Sequence, residues 1–158
     1  MNLPRLKALP DAKAPVLVYL GLAKDGKTAI FMVDSNIEPQ GDGSCKPSPA
    51  NCETIHVRVG DTEFFDVKDE AGETTDQYQL DVLSIKTSTT ASASKANAAR
   101  AKVSKSGRRV LRARQAARGP LRWTYDAKSG TVRKLDRKAY EARVAKTARV
   151  ALAFSGGF

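Results

Sequence analysis

The first part of the chain alternates short apolar segments with turn residues. A Lys-Asp-Gly-Lys segment at 24–27 separates two apolar runs, and an Asp-Gly pair in that position is typical of a tight β-hairpin. Further segments show strand-like alternation or β-rich composition. The pattern predicts about five strands, at residues 16–22, 28–33, 54–59, 63–67 and 77–85. So many short strands indicate a small antiparallel β-sandwich or barrel over residues 16–88.

Alternation also predicts which side chains face the core. In the third strand it directs Ile55, Val57 and Val59 inward, and Thr54, His56 and Arg58 toward solvent. In the last strand the apolar pattern changes phase at Leu83, which indicates a bulge or a strand buried on both sides. Residues 34–53, rich in Pro, Gly, Asn and Asp, are predicted to form one long loop.

Two cysteines, Cys45 and Cys52, lie within that loop and are the only ones in the chain. A bond between them would stabilise the fold by about 2.5 kcal/mol through chain entropy. Such bonds persist in oxidising compartments. The sequence therefore predicts a loop clipped by a disulfide at 45–52 and an extracytoplasmic location, with two free thiols as the alternative. A tetrahedral zinc site would lack a ligand unless a carboxylate joined, since the two cysteines and the only histidine supply three.

The second part of the chain is predicted to be helical with one hairpin. A small, polar segment at 87–94 precedes a long basic helix at 95–118, which Gly119 and Pro120 end. A hairpin (121–125 and 131–135) and a C-terminal helix from Arg137 follow. The predicted inward stripe of the long helix is Ala99, Val103, Ser106, Val110, Ala113 and Ala117, and that of the last helix is Tyr140, Val144, Ala148 and Leu152.

The predicted fold class is thus α+β: a small antiparallel β-sandwich or barrel followed by a basic long helix, a β-hairpin and a C-terminal helix. The predicted organisation is an extended lead-in at 1–15, an acidic β-domain at 16–88 and a basic α-rich module at 89–158. Charge supports this division. Residues 1–90 hold 9 Lys+Arg and 14 Asp+Glu, a balance of −5, whereas residues 91–158 hold 18 and 3, a balance of +15.

Apolar runs fall far short of the roughly 20 residues that span a bilayer. The N-terminus also lacks the basic head and long apolar stretch of a secretory signal. This leaves a cytoplasmic protein, or an exported one whose signal is not present in this sequence. The cysteine pair favours export.

Basic side chains of the second half are the candidate binding residues, for a polyanion or an acidic partner. They are Lys102, Lys105, Arg108, Arg109, Arg112, Arg114, Arg118 and Arg122. They are predicted to surround the helix, and the nearby Trp123 and Tyr125 are predicted to belong to the hairpin core. The competing partners are the acidic half of the chain itself, an acidic protein, an anionic envelope polymer or lipid headgroup, and nucleic acid.

No catalytic or metal-binding set emerges. The segment 41–45 resembles the Asp-Gly-x-Cys nucleophile motif of ovarian-tumour-class cysteine deubiquitinases, but His56 is the only candidate base and lies on an outward strand face. Oxygen ligands alternate as in a calcium loop at Asp34, Asn36, Glu38, Gln40 and Asp42. That pattern fails where Pro39 and Cys45 replace the required glycine and glutamate. We expect no enzyme activity, cofactor or metal.

Residues 16–86 resemble a known family. Val18–Leu22, Asp25–Phe31, Val57–Asp61 and Tyr78–Ile85 are similar to the small periplasmic β-domain of PilP-type pilus-assembly lipoproteins and of the homology region of type II secretion inner-membrane subunits. The resemblance implies a non-catalytic adaptor that bridges envelope proteins. We therefore expect an exported interaction or structural protein of a pilus-like or secretion-like assembly, whose basic half docks on an acidic partner or on another copy. The alternative is a nucleic-acid-binding protein.

Overall fold

The computed structural model of the chain describes residues 3–87 and 92–145. Within these ranges it contains antiparallel sheets and three helices, which confirms the α+β class. The strands are β1 (Ala8–Leu9), β2 (Leu17–Leu22), β3 (Thr28–Val33), β4 (Ile37–Gly41), β5 (Ser44–Ser48), β6 (Asn51–Arg58), β7 (Thr62–Lys68), β8 (Thr74–Asp81), β9 (Trp123–Asp126) and β10 (Thr131–Lys134). The helices are α1 (Ala93–Ala101), α2 (Lys105–Arg118) and α3 (137–145).

Two sheets form the β part of the fold. One has the order β1-β2-β3-β6-β5 and the other has the order β4-β7-β8, while β9 and β10 form a separate hairpin. The predicted hairpin of β2 and β3 is confirmed. Its turn is fixed by the Asp25 carboxylate, which accepts hydrogen bonds from the backbone N–H groups of Lys27 and Thr28.

The five-stranded sheet is covered on both faces. On one face, Phe31 and Ile55 pack against Phe65 of the three-stranded sheet, in a sandwich-like arrangement. On the other face, Ile30 packs in a second cluster with Leu121 beside the hairpin. Since β3 is central and has neighbours on both faces, all six of its residues are buried.

Residues 34–53, predicted to be a loop, instead contain β4, β5 and the start of β6. The prolines that suggested a loop lie at sheet edges, Pro39 in β4 and Pro47 in β5. An edge strand tolerates proline because one side of its backbone needs no ladder hydrogen bond. The β part therefore has eight strands in the described ranges, where about five were predicted.

Several predictions of orientation in β6 and β8 were wrong. Thr54 is fully buried and His56 is half-buried, because the second half of the chain covers the face that was predicted to meet solvent. Val59 is exposed because β6 ends at Arg58. The last strand ends at Asp81, so Leu83 lies outside the sheet and is exposed; neither a bulge at this point nor a doubly buried strand is present.

The predicted long basic helix is divided into α1 and α2. The break occurs where Val103 forms a parallel bridge with Arg5 and the Ser104 N–H donates to the Arg5 carbonyl at 2.9 Å. The predicted lead-in thus takes part in the fold: Leu6 and Ala8 are buried in the same cluster as Leu121.

The predicted domain division at residue 88 stays a prediction. Side chains from both sides of it fill one cluster, in which Val18 and Met32 lie with Val132. The predicted C-terminal helix is present at 137–145, and Ala148 and Leu152 lie outside the described residues. No helix in the described ranges is long and apolar enough to cross a membrane.

Candidate anion-binding interface

Helix α2 carries most of the candidate binding residues, and its ends are set by local sequence. It begins after Ser104, which has extended backbone angles, and it ends at Gly119, whose φ of 79° and N–H bond to the Gln115 carbonyl close the last turn. Glycine adopts that backbone conformation without steric cost. Between these ends, Ala, Arg, Lys and Leu are good helix formers.

The inner face of α2 lies directly on the N-terminal segment. Gly107 is buried, and a Cβ atom at this position would overlap the carbonyl oxygen of Leu6. Val110 and Leu111, one turn further on, pack against the cluster that contains Leu6. The predicted stripe is therefore rotated: Val103 and Val110 face the core as predicted, but Ala113 and Ala117 are exposed.

The outer face of α2 gathers four cations. Successive helix residues are rotated by about 100°, so Lys105, Arg108, Arg109 and Arg112 fall within a sector of about 100° opposite Gly107. All four are exposed, and none pairs with a carboxylate within the described ranges. We call these four residues the cationic stripe. The basic residues of α2 as a whole still surround the helix, since Arg114 and Arg118 lie outside this sector, but these four share one side of it.

Helix stability does not favour this placement of charge. The N-terminus of a helix carries a partial positive charge, which makes cations there unfavourable by roughly 0.3–1 kcal/mol each. The first turn of α2 nevertheless has no acidic residue, and Ser104 makes no side-chain cap bond. The dipole and the first cations of the stripe reinforce one another, so the positive potential is strongest at this end.

Arg114 lies on the side of α2 opposite the cationic stripe, and its guanidinium binds groups inside the protein. Its guanidinium donates to the Gly119 carbonyl at 2.7 Å and to Glu53 Oε1 at 3.1 Å. Arg122 Nε lies 3.6 Å from Glu53 Oε2. Burial lowers the pKa of Arg114, and the Glu53 carboxylate opposes that shift. Two of the eight candidates therefore bind the acidic half of the same chain.

Glu53 was not recognised from the sequence. The ladder between β5 and β6 pairs Lys46 with Thr54 and Pro47 with Cys52, which leaves Glu53 as the extra residue of a bulge. A bulge redirects a side chain out of the regular alternation, and here the carboxylate reaches Arg114. In the sequence, Glu53 is distinguished only as an acidic residue next to Cys52.

The remaining candidates lie away from the stripe. Lys102 is the C-cap of α1, and its side chain is exposed. Arg118 is exposed in the last turn of α2, more than about 100° around the helix axis from Arg112. The eight candidates thus separate into the four of the stripe, two that pair with Glu53, and these two.

The aromatic residues near α2 are already in contact with protein groups. Trp123 stacks edge-on against His56 with ring centroids 4.7 Å apart. The Arg5 guanidinium lies 3.6 Å above the Tyr125 ring. The prediction that both rings belong to the hairpin core is consistent with their packing against the Leu121 cluster.

His56 differs most from its prediction. It lies beneath Trp123, and its Nε2 is 3.2 Å from the Thr54 hydroxyl. Burial, with a smaller contribution from the positive charge of Lys46, lowers the pKa of His56 to about 4. The ring is therefore neutral at pH 7 and serves as a packing group.

Cys45 and Cys52 form the predicted disulfide, with Cα atoms 5.0 Å apart. Cys45 is thus not a free thiol, and the resemblance of 41–45 to a nucleophile motif has no chemical counterpart in this structure. The disulfide therefore joins edge strand β5 to its neighbour β6, whereas the sequence predicted that it lies within a long loop.

Among the alternating oxygen groups at 34–42, Glu38 and Gln40 lie in β4, and three of the five side chains have partners elsewhere in the fold. Glu38 pairs with Lys68 at 3.5 Å, Gln40 donates to Asp66 at 3.3 Å, and Asp42 accepts from the Thr62 N–H at 3.0 Å. Among residues 3–87 and 92–145, no group of three or more His, Cys, Asp or Glu is arranged to hold a metal ion.

Comparison with known proteins gives no relative for this chain: no family model, no curated protein and no solved structure matches it.

Proposed function

We propose that this chain is a non-enzymatic, exported interaction protein that docks on an acidic protein surface through the cationic stripe of α2. The observation that carries this proposal is that the arginines fall into two groups, one paired within the chain and one exposed. Arg114 and Arg122 neutralise Glu53 within the chain, while Arg108, Arg109 and Arg112 are exposed and have no carboxylate partner in the described ranges.

The rigid mounting of α2 supports a docking role. Gly107 allows the helix to lie on the backbone of Leu6, and Val110 and Leu111 fix its rotation. Cations on a fixed helix lose less conformational freedom on binding than cations on a flexible tail. Charge complementarity at such a surface increases both the association rate and the specificity.

The disulfide supports export, because bonds of this kind are rare in reducing compartments. A place in a pilus-like or secretion-like envelope assembly remains part of this proposal, and it rests on the resemblance of residues 16–86.

Nucleic acid is the second candidate, and the single-face arrangement of the stripe favours it. The stripe extends for about 10 Å along the helix, since Lys105 and Arg112 are seven residues apart at about 1.5 Å each. However, a single-stranded ligand would also need free aromatic rings, and Trp123 and Tyr125 are covered by His56 and Arg5. We therefore favour an acidic protein.

Fluorescence anisotropy tests the proposal with two labelled probes, poly-L-glutamate and a short DNA duplex. One variant neutralises the stripe (K105Q/R108Q/R109Q/R112Q). The matched control neutralises four exposed lysines elsewhere (K24Q/K27Q/K128Q/K134Q), so both variants lower the formal net charge from +10 to +6.

We expect poly-L-glutamate binding to be lost in the stripe variant and retained in the control. Equal loss in both variants would show that net charge alone is responsible, and it would overturn the proposal. Tighter binding to DNA, with a salt dependence that falls by about 3 to 4 in logarithmic slope in the stripe variant, would establish the nucleic-acid candidate instead.

A further inference from the structure

An acidic turn lies on the three-stranded sheet. Residues 69–76, which connect β7 to β8 and begin β8, contain Asp69, Glu70, Glu73 and Asp76 and no Lys or Arg. All four acids are exposed, and none has a cationic partner within the described ranges. The Asp69 carboxylate fixes the turn by accepting from the N–H groups of Ala71 and Glu73 at 2.9 Å each.

The acidic turn and the cationic stripe lie on opposite sides of the five-stranded sheet. The three-stranded sheet packs on one face of that sheet, through Phe65, and α2 packs on the other, through Val110. Layers in proteins are separated by about 10 Å, so the two charged surfaces are about 20 Å or more apart. This exceeds the screening length of about 8 Å at physiological salt. Within one molecule the two surfaces therefore cannot neutralise each other.

The two surfaces match in size and accessibility. Glu73 and Asp76 are three residues apart in or beside a strand, which spans about 10 Å, the same length as the stripe on α2. Strand β8 is a sheet edge with most of its residues exposed, and Tyr78 adds an exposed aromatic ring beside the acids. On α2, exposed Ala116 lies in the same sector one turn beyond Arg112, so its small side chain allows a partner to approach the end of the stripe closely.

We propose that the acidic surface recognised by the cationic stripe is the acidic turn of a second copy of this chain. This inference rests on the proposed function, since it names the partner of the same site. Because the two surfaces differ and face opposite ways, the contact is heterologous. Such contacts do not close in a two-fold dimer. The pair retains one free stripe on one copy and one free turn on the other, so assembly proceeds head to tail into a chain or a ring.

Charge reversal with rescue tests this inference in the full chain. One variant reverses the stripe (R108E/R109E/R112E) and another reverses the turn (E70K/E73K/D76K). Both change only exposed side chains, and an acid at position 108 lies in the first turn of α2, where it suits the helix dipole, so both variants are expected to fold. Sedimentation velocity over a range of concentrations, at low and at high salt, measures assembly.

We expect concentration-dependent assembly of the unmodified chain at low salt, and its loss at high salt. Each variant alone should remain monomeric because its two surfaces then carry the same charge. An equimolar mixture of the two variants should assemble again, since each stripe meets a turn of opposite sign. A control that reverses Lys24, Lys27 and Lys128 should assemble like the unmodified chain.

The outcomes separate this inference from the proposed function. A chain that stays monomeric at every concentration, yet binds poly-L-glutamate through the stripe, overturns self-assembly and leaves the docking role standing. Assembly that survives reversal of the stripe overturns the inference as well. Loss of poly-L-glutamate binding equally in the stripe variant and its charge-matched control overturns the docking role itself.

Discussion

Acidification should destabilise this protein through His56. The ring lies between β6 and Trp123, and its pKa is lowered to about 4 from an ordinary value of 6.5. An unfolded chain therefore takes up a proton at this histidine more readily than the folded one. The stability that the neutral ring contributes is fully present above about pH 6.5 and is lost as the pH falls toward 4.

The size of this effect follows from the two pKa values. Lowering the pKa from 6.5 to about 4 corresponds to at most about 3 kcal/mol when the titration is complete, and the partial exposure of the ring reduces this figure. Between pH 7 and pH 5 the expected loss is about 1–2 kcal/mol, because at pH 5 His56 is almost fully protonated in the unfolded chain but not in the folded one. Glu63, whose pKa is raised mainly by burial, opposes this trend.

Urea unfolding at pH 7 and pH 5 measures the effect, with the fluorescence of Trp123 as the signal. This is the only tryptophan, and it lies against the histidine. The variant H56Q cannot be protonated but keeps a polar group near the Thr54 hydroxyl. We expect H56Q to be less stable at pH 7, because it packs less well, and to lose less stability than the unmodified chain on acidification.

A direct titration of the His56 ring tests its lowered pKa independently of the unfolding measurements. His56 is the only histidine, so its ring resonance in a proton–carbon NMR spectrum needs no assignment. A midpoint near 4 agrees with a ring covered by the hairpin. A midpoint near 6.5, or an equal loss of stability in H56Q, would refute the packing of His56 beneath Trp123.

Three further perturbations test other parts of the fold. G107A should lower the free energy of unfolding by about 1–3 kcal/mol, measured by circular dichroism in urea, because the added methyl overlaps the Leu6 carbonyl; a gain, as helix propensity alone predicts, would contradict the close contact. The double variant C45S/C52S should lose about 2.5 kcal/mol in the same assay, and an unchanged midpoint would show that the bond does not stabilise the fold. E63Q should be more stable than the unmodified chain at pH 7 and similar to it at pH 4. Burial raises the pKa of Glu63, so the ionised carboxylate destabilises the folded state at pH 7. A less stable E63Q at pH 7 would show that ionised Glu63 is well solvated.

The sequence predicted correctly those strands and turns whose formation depends mainly on neighbouring residues in the chain. The hairpin of β2 and β3 follows from two apolar runs around an Asp-Gly turn, and that of β9 and β10 follows from alternation at Leu121, Trp123 and Tyr125 before a turn that ends at Gly130. By contrast, β4 and β5 were missed since Pro39 and Pro47 are unfavourable in a strand unless it lies at an edge. Whether a strand is at an edge is a property of the assembled sheet, and its own residues do not encode it.

The candidate site shows the same limit. The basic residues of α2 were identified, but their roles depend on contacts between distant parts of the chain. Gly107 sets the rotation of the helix because Leu6 comes close to it, and the bulge at Glu53 draws Arg114 inward across 61 residues of sequence. Neither contact leaves a periodic signal in the sequence, so the stripe could be separated from the internally paired arginines only with the fold in hand.

The most direct test of the docking role observes the arginine side chains themselves. Proton–nitrogen spectra of the Nε–Hε groups, recorded as poly-L-glutamate is added, distinguish arginines that meet the ligand from those that do not. We expect the signals of Arg108, Arg109 and Arg112 to shift, and that of Arg114, held between Glu53 and Gly119, to stay in place. Uniform shifts of all arginines, or shifts confined to residues outside α2, would contradict the claim that the outer face of this helix is the binding surface.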